Sequence, residues 1–315
     1  MKRKSIIISI SSPSLTKEER SLIKAKKPWG IILFKRNIKN IFQIKELTSN
    51  IRSIMNDPFY PIILDQEGGK VDRLSNIINN SEFSQNYFGN LFERNRIFGI
   101  KSYKEYLNFT CQMLNEIGVN INTIPVLDVL KKNSHNIIGN RSFSKNLNTI
   151  ATFKNICLNI LDKYKIGSVS KHIPGHGCSK VDTHKKPSIV NDSYSKLSKT
   201  DFKAFKNINS KFAMTAHIIY KKIDNLNTAT HSEILIKNII RNRLGFKGIL
   251  ISDDISMKAL SNNILHNANK AISSGCNLVL YCKGNIKESS ILLNKINEID
   301  NFTAKKTSEF YRFLR

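Results

Sequence analysis

The sequence has little of the material from which membrane proteins and disulfide-linked secreted proteins are built. None of the apolar runs in its 315 residues approaches the roughly 20 residues that a membrane-spanning helix needs. The five cysteines are odd in number, scattered, and never arranged as Cys-x-x-Cys, so neither a disulfide framework nor a structural zinc site is expected. The apolar run after the basic start ends at Ser11-Ser12-Pro13, too early for a secretory signal. We therefore expect a cytoplasmic protein that does not enter a membrane.

Acidic residues are scarce as well, with 24 aspartates and glutamates against 50 lysines and arginines and a formal net charge of +26. So basic a chain could bind nucleic acid. The lysines, however, are spread along the whole chain among many asparagines and isoleucines, a pattern typical of proteins from AT-rich genomes. The sequence has no basic helix with interleaved aromatics and no zinc-finger or RNA-motif spacing. We expect incidental contact with polyanions but no dedicated nucleic-acid partner.

Internal repeats and low-complexity segments are also absent, and the chain alternates between two hydrophobic periods. Apolar runs of strand length are separated by longer segments in which apolar residues recur at helical spacing. The runs are residues 6–10, 30–34, 61–64, 121–127, 168–171, 212–216, 248–251 and 277–281. Eight such runs alternating with helices predict an α/β fold, a single (β/α)8 TIM barrel that forms one catalytic domain over residues 1–315. A doubly wound open sheet is the alternative, but no glycine-rich phosphate loop follows the first strand.

Helices are predicted between these runs. Thr16 and Glu19 form a capping-box pattern that opens the first helix, which must end by Pro28. The second has apolar residues on one face between positions 41 and 54. Later helices are predicted over residues 103–117, 152–164, 201–208, 232–244, 257–273 and 286–299.

Polar residues follow the ends of the third to seventh predicted strands. The carboxyl ends of barrel strands meet at one mouth, which is where TIM barrels have their active sites. We therefore predict an active site at the C-terminal ends of the strands. The residues at those ends are Asp65, Asp128, Lys171 with His172, His217 and Asp253.

The fifth strand leads into the segment 171–184, KHIPGHGCSKVDTH, which holds three of the seven histidines. A catalytic loop is favoured over a zinc site, because the only cysteine there is Cys178, and over a loop of solvated polar residues. In an extended segment Asp182 can accept a hydrogen bond from His184, two residues further on, which leaves the other ring nitrogen to move a proton. A pair that only fixes the loop is the alternative.

Two further strand ends could take part in the chemistry. After the third strand, two adjacent glycines allow the backbone near a ligand, and Asp65 and Arg73 can bind hydroxyls or an anion. At the end of the seventh strand, Asp253 could be a nucleophile, a metal ligand or a helix cap. We assign the cap to Asp254 or Ser256 and the chemistry to Asp253, which ends the apolar run.

Taken together, these motifs resemble the family 3 glycoside hydrolases, in particular the bacterial β-N-acetylglucosaminidases of peptidoglycan recycling. The resemblance spans nearly the whole chain, and the Asp-x-His pair marks the N-acetylglucosaminidase branch. The motifs are GIILF at 30–34, DQEGG at 65–69 with Arg73, PVLD at 125–128, IGNRSF at 138–143, KHIPGHG at 171–177, DTH at 182–184, MTAH at 214–217 and SDDISM at 252–257.

The resemblance implies a retaining exo-glycosidase with Asp253 as nucleophile, His184 as general acid/base and Asp182 supporting it. It implies no cofactor and no metal ion. The substrates would be small glycans, namely N-acetylglucosaminyl-anhydromuramic acid and its peptide derivatives, taken by a monomeric enzyme whose positive mouth favours anionic wall fragments. The terminal sugar would be held by Asp65, Arg73, Arg141, Lys171 and His172.

Two rival interpretations remain open. One is a metal-dependent barrel hydrolase with His172, His176, His184 and Asp253 as ligands, although the usual His-x-His after the first strand is missing. The other is a non-catalytic glycan- or polyanion-binding protein derived from an enzyme, which would bind without turnover.

Overall fold

The computed structural model describes residues 2–131, 138–177, 188–260 and 262–315, and a closed barrel is its main feature. The strands are β1 Lys4–Ser9, β2 Pro28–Leu33, β3 Ile62–Leu64, β4 Ile121–Asn122, β5 Gly167–Ile173, β6 Ser188–Val190, β7 Phe212–Thr215, β8 Ile218–Tyr220, β9 Ile249–Asp254 and β10 Leu278–Tyr281. The barrel order is β1-β10-β9-β7-β5-β4-β3-β2, and every neighbouring pair is parallel. The predicted (β/α)8 TIM barrel is therefore confirmed.

Helices cover the outside of the barrel. The capping box predicted for α1 is present: the Glu19 N–H donates to Thr16 Oγ1 at 3.1 Å, and the Thr16 N–H donates to Glu19 Oε2 at 2.9 Å. The helices are α1 Lys17–Lys26, α2 Ile41–Met55, α3 Gln85–Arg94, α4 Arg96–Glu116, α5 Leu147–Lys163, α6 Tyr194–Lys199, α7 Asp201–Ala204, α8 Ile264–Ser273, α9 Ile286–Lys295 and α10 Asn301–Leu314, with a π-helix over Ile234–Arg243.

Alternate strand residues divide the apolar core in two. Ile7, Ile32 and Ile63 belong to a cluster inside the barrel, whereas their strand neighbours pack outward against the helices. This two-sided burial explains why the strands read as continuous apolar runs in the sequence.

The N-terminal end of the barrel is packed by aromatic side chains. The Phe212 ring lies 5.5 Å from the Trp29 ring and 5.1 Å from the Phe310 ring of α10, and Trp29 Nε1 donates to Thr307 Oγ1 at 2.9 Å. These side chains close the barrel interior at its N-terminal end. A site for a ligand is therefore expected at the opposite, C-terminal end of the strands.

Several predicted element boundaries were wrong. The strand expected over residues 121–127 pairs regularly only at β4, because Pro125 has no N–H to donate and the chain rejoins β5 through one bridge, Val126 to Lys171. The helix predicted over 257–273 begins only at Ile264, where Asn263 caps it. Helix α7 ends at Ala204 rather than at residue 208, and α9 ends at Lys295 rather than at residue 299.

Strands β6 and β8 were not predicted. They pair in parallel as a separate two-stranded sheet, with Ser188 opposite Ile218 and Val190 opposite Tyr220. The Tyr220 hydroxyl donates to the carbonyl oxygen of Gly175, which ties this small sheet to the chain just after β5. Across the described ranges, no helix combines the length and apolarity needed to span a bilayer.

Candidate active site

The C-terminal ends of the barrel strands surround a cavity of about 190 Å³. Its lining combines charged and apolar side chains, which suits a ligand with hydroxyl groups and a hydrocarbon face. Of the predicted site residues that the structure describes, Asp65, Arg73, Arg141, Lys171, His172 and Asp253 lie in its wall, whereas Asp128 and His217 lie behind it and contact the lining residues His172 and Asp254. The charged or ionisable lining residues are Asp65, Arg73, Arg141, Lys171, His172, His176, Asp253, Asp254 and Cys282, and the others are Ile32, Phe34, Val71, Thr123, Met214, Met257 and Leu280.

Lys171 and Asp65 form the centre of the charged side. The Lys171 side chain is only 2% exposed, and its Nζ lies 2.5 Å from Asp65 Oδ1 and 2.8 Å from Thr123 Oγ1. Arg73 Nη2 donates to the other carboxylate oxygen of Asp65 at 2.8 Å. Burial would raise the pKa of Asp65, but Lys171 and Arg73 outweigh it and hold that pKa far below its usual range. Asp65 is therefore a charged acceptor at neutral pH.

Glu67 is a buried carboxylate that sequence reasoning did not assign to the site. Its two oxygens accept hydrogen bonds from Arg141 Nε and Nη2, each at 2.8 Å, and Oε1 also lies 2.5 Å from Lys171 Nζ. Burial opposes ionisation, but the two cations keep the pKa of Glu67 below its usual value. Its place in the DQEGG motif, two residues after Asp65, was the only available signal.

Asp128 binds the ring of one histidine and the backbone of another. It accepts hydrogen bonds from His172 Nδ1 at 2.7 Å and from the His176 backbone N–H at 2.6 Å. With Nδ1 donating to Asp128, Nε2 of His172 is left as the acceptor, 3.4 Å from Arg141 Nη2. Burial lowers the pKa of His176 to about 4, so this ring is neutral at physiological pH.

Asp253 lies at the end of β9, with one carboxylate oxygen 2.8 Å from the backbone nitrogen of Asp254. Burial raises the pKa of Asp253. Nearby His217 and His172 and the backbone N–H of Asp254 lower that pKa by more, so it lies below its usual value. Asp254 differs: burial raises its pKa, and it accepts from Ser256 N at 3.0 Å and Ser256 Oγ at 2.7 Å. These bonds close a turn after β9, and the helix cap predicted at Asp254 or Ser256 was wrong, because the next helix, α8, is capped by Asn263.

His217 forms a hydrogen bond to the backbone at the end of β9. Its Nε2 lies 3.0 Å from the backbone carbonyl of Asp254 and must donate to it, because a carbonyl oxygen can only accept. Its Nδ1 lies 2.7 Å from Thr230 Oγ1, so it accepts from that hydroxyl. The tautomer of His217 is thereby fixed.

Within the described wall of the cavity, Arg73, Arg141 and Lys171 do not form the positive mouth expected of them. Each of the three cations is bound to a carboxylate, Asp65 or Glu67, and Asp253 adds a further negative charge. The described wall of the cavity therefore presents oriented donors and acceptors rather than a net positive field.

The predicted acid/base pair and one of the predicted metal ligands, His184, belong to the segment after Gly177. Asp182 and His184 lie outside the described residues, so their predicted roles stay predictions. Within the described part of the chain, no group of three or more histidine, cysteine, aspartate or glutamate side chains is arranged to hold a metal ion.

Comparison with known proteins agrees with the fold and the motifs. Residues 5–308 match the glycosyl hydrolase family 3 N-terminal domain. A beta-hexosaminidase of Nitrosomonas eutropha is 32% identical over 282 residues, covering 88% of this chain and 80% of that protein. A beta-hexosaminidase of Psychromonas ingrahamii is 32% identical over 317 residues, covering 97% of this chain and 88% of that protein.

Solved structures give the same picture. The crystal structure of NagZ from Neisseria gonorrhoeae in complex with N-trifluoroacetyl-D-glucosamine superimposes with a TM-score of 0.89 at 28% sequence identity. The alignment covers 100% of this chain and 90% of that one.

The depressed pKa values predict how the stability of the protein depends on pH. Asp65, Glu67, Asp128 and Asp253 all have folded-state pKa values below their usual ones. Below about pH 5 the unfolded chain takes up protons that the folded chain does not, so the free energy of unfolding must fall as pH decreases. We expect urea denaturation to show this fall between about pH 5 and pH 3, and a shallower fall for Asp65→Asn. If the free energy of unfolding fell equally steeply with pH in the variant and the wild type, the depressed pKa of Asp65 would be contradicted.

Proposed function

Because the chain belongs to glycosyl hydrolase family 3, we propose that it is a β-N-acetylhexosaminidase that releases terminal N-acetylglucosamine from muropeptides with retention of configuration. The observation that carries the proposal is the cavity at the strand ends, which Asp253 lines together with Asp65, Lys171 and Arg141. Beta-hexosaminidases at about one-third identity over most of both chains support the hexosamine substrate.

Asp253 acts as the nucleophile. Its depressed pKa keeps the carboxylate ionised at neutral pH, and its position at the end of β9 directs it into the cavity. Attack on the anomeric carbon would form a glycosyl-enzyme intermediate, which water then hydrolyses, so that two inversions give net retention.

His184 is the general acid/base, held by Asp182. Protonated, it gives its proton to the leaving oxygen; neutral, it activates the incoming water. An imidazole here replaces the second carboxylate that most retaining glycosidases use. It has the further advantage that an imidazolium does not repel an anionic leaving group. The assignment rests on the DTH motif at 182–184.

The charged wall binds the hydroxyl groups of one sugar ring. Asp65 accepts, while Arg73, Arg141 and Lys171 donate, and their mutual hydrogen bonds hold them in place before the sugar arrives. The cavity volume of about 190 Å³ is below the roughly 300 Å³ at which pockets for drug-sized ligands begin. This supports exo action on a single terminal residue.

The natural substrates that we propose are N-acetylglucosaminyl-anhydromuramic acid and its peptide derivatives. We propose that the enzyme cleaves them in the cytoplasm. The proposal for these wall fragments rests on the motif resemblance to recycling enzymes. The described cysteines, Cys111, Cys157, Cys276 and Cys282, are free thiols, which suits a reducing compartment. The enzyme is proposed to work as a monomer without a dedicated nucleic-acid or membrane partner.

Turnover of a chromogenic substrate tests the activity. The purified protein should release 4-nitrophenol from the β-N-acetylglucosaminide and very little from the matching β-glucoside. Asp253→Asn keeps the shape and removes the nucleophilic charge, so kcat should fall by about 10³-fold or more. The control is Asp162→Asn on α5, a partly exposed partner of Lys211 remote from the cavity, which should keep wild-type activity. An Asp253→Asn enzyme with near-normal turnover would exclude this nucleophile.

The role of His184 is tested by varying the leaving group. His184→Ala should slow cleavage severely for poor leaving groups, which need a proton, and far less for activated aryl leaving groups. Asp182→Asn should show a milder form of the same pattern, because the imidazole remains but its orientation is lost. The measurement is a plot of log kcat/KM against leaving-group pKa for the variants and the wild type. Parallel plots for His184→Ala and the wild type would mean that another residue is the acid.

A further inference from the structure

Glu67 joins two cations of the cavity without lining the cavity itself. Its side chain is 1% exposed, and it is missing from the cavity wall that contains Arg141 and Lys171. Both cations bind the same oxygen, Oε1, with Arg141 Nη2 at 2.8 Å and Lys171 Nζ at 2.5 Å. Arg141 Nε binds the second oxygen at 2.8 Å, so the guanidinium is held in a two-point, planar arrangement.

The backbone around Glu67 leaves it little freedom. The N–H groups of Glu67 and Gly68 both donate to the carbonyl of Val71, at 3.0 and 3.2 Å, which closes a tight loop after β3. Gly68 and Gly69 have φ values of 84° and 63°, a region that favours glycine. A Cβ on Gly68 would lie 2.3 Å from the Phe83 carbonyl oxygen, so the loop also packs too closely for a side chain.

The carboxylate of Glu67 is what allows Arg141 and Lys171 to lie side by side. Two cations on one oxygen repel each other strongly at low dielectric unless a negative charge lies between them. Other contacts of Arg141 are the 3.4 Å approach to His172, a bond from Gln85 to its carbonyl and its backbone N–H bond to Ile138, and none of these fixes the guanidinium plane. Asp65 also forms an ion pair with Lys171, but the described structure shows no hydrogen bond between Asp65 and Arg141.

We propose that Glu67 is a positioning residue that fixes Arg141 and Lys171 as one rigid pair of donors for the hydroxyls of the bound sugar. This inference rests on the proposed glycosidase function, because it concerns how that sugar is held. Glu67 itself touches no substrate and transfers no proton. Its effect reaches the reaction through the orientation of the two donors relative to Asp253.

Two substitutions test whether the position of the Glu67 carboxylate matters as well as its charge. Glu67→Gln keeps the shape but removes the charge, and its amide offers one acceptor oxygen where three donors need two. Glu67→Asp keeps the charge balance of the buried cluster and withdraws the carboxylate by one methylene. A displacement of about 1 Å in a catalytic constellation costs roughly 100-fold. We expect kcat/KM for the chromogenic N-acetylglucosaminide to fall by about that factor in both variants.

A matched control measures the cost of neutralising a buried glutamate elsewhere. Glu19 is also buried, at 4% exposure, and serves the capping box of α1 without lining the cavity. Glu19→Gln should lower the thermal unfolding midpoint while leaving kcat/KM of the folded enzyme within about twofold of wild type.

A double-mutant cycle with Arg141→Gln gives the decisive readout. If Glu67 acts through Arg141, the loss in the double variant should be at least about tenfold smaller than the product of the two single losses. Losses that multiply, or a folded Glu67→Asp enzyme with wild-type kcat/KM, would overturn the proposal. An inactive wild-type enzyme would instead refute the proposed function, so the two failures are distinguishable.

Discussion

The active-site end of the barrel depends on one buried cation. Lys171 projects from β5 into the cavity wall with 2% of its side chain exposed, and a charge so placed is stable only when carboxylates surround it. Asp65 and Glu67 supply that charge from the loop after β3. Each carboxylate also binds an arginine, so Lys171, Arg73 and Arg141 are joined in one cluster through Asp65 and Glu67.

This cluster places several charged groups in the described wall of the site while leaving each cation paired with a carboxylate. The donors are paired with acceptors before a ligand arrives, which favours hydroxyl groups that can replace or extend existing hydrogen bonds. A free anion would find few uncompensated positive charges in the described wall. The apolar lining residues Met214, Met257 and Leu280 suit the hydrocarbon face of a sugar ring.

The barrel could be predicted from the sequence because its strands are buried on both faces and read as uninterrupted apolar runs. The mouth could be predicted because parallel strands deliver Asp65, His172 and Asp253 to one end. Strands β6 and β8 could not, since three residues give no measurable period. Glu67 was missed because nothing local shows that a glutamate in a loop turns inward; its partners are Arg141 and Lys171, far along the chain.

Trapping the glycosyl-enzyme intermediate tests the central claim most directly. A 5-fluoro N-acetylglucosaminyl fluoride slows formation and breakdown of the intermediate through its electron-withdrawing fluorine, while its good leaving group allows the adduct to accumulate. After proteolysis, fragmentation of the labelled peptide identifies the modified residue. The account predicts a single sugar on Asp253, which the structure places at the end of β9 in the cavity. A sugar on Asp254 or Glu67, or no adduct in an enzyme that turns over the substrate, would contradict it.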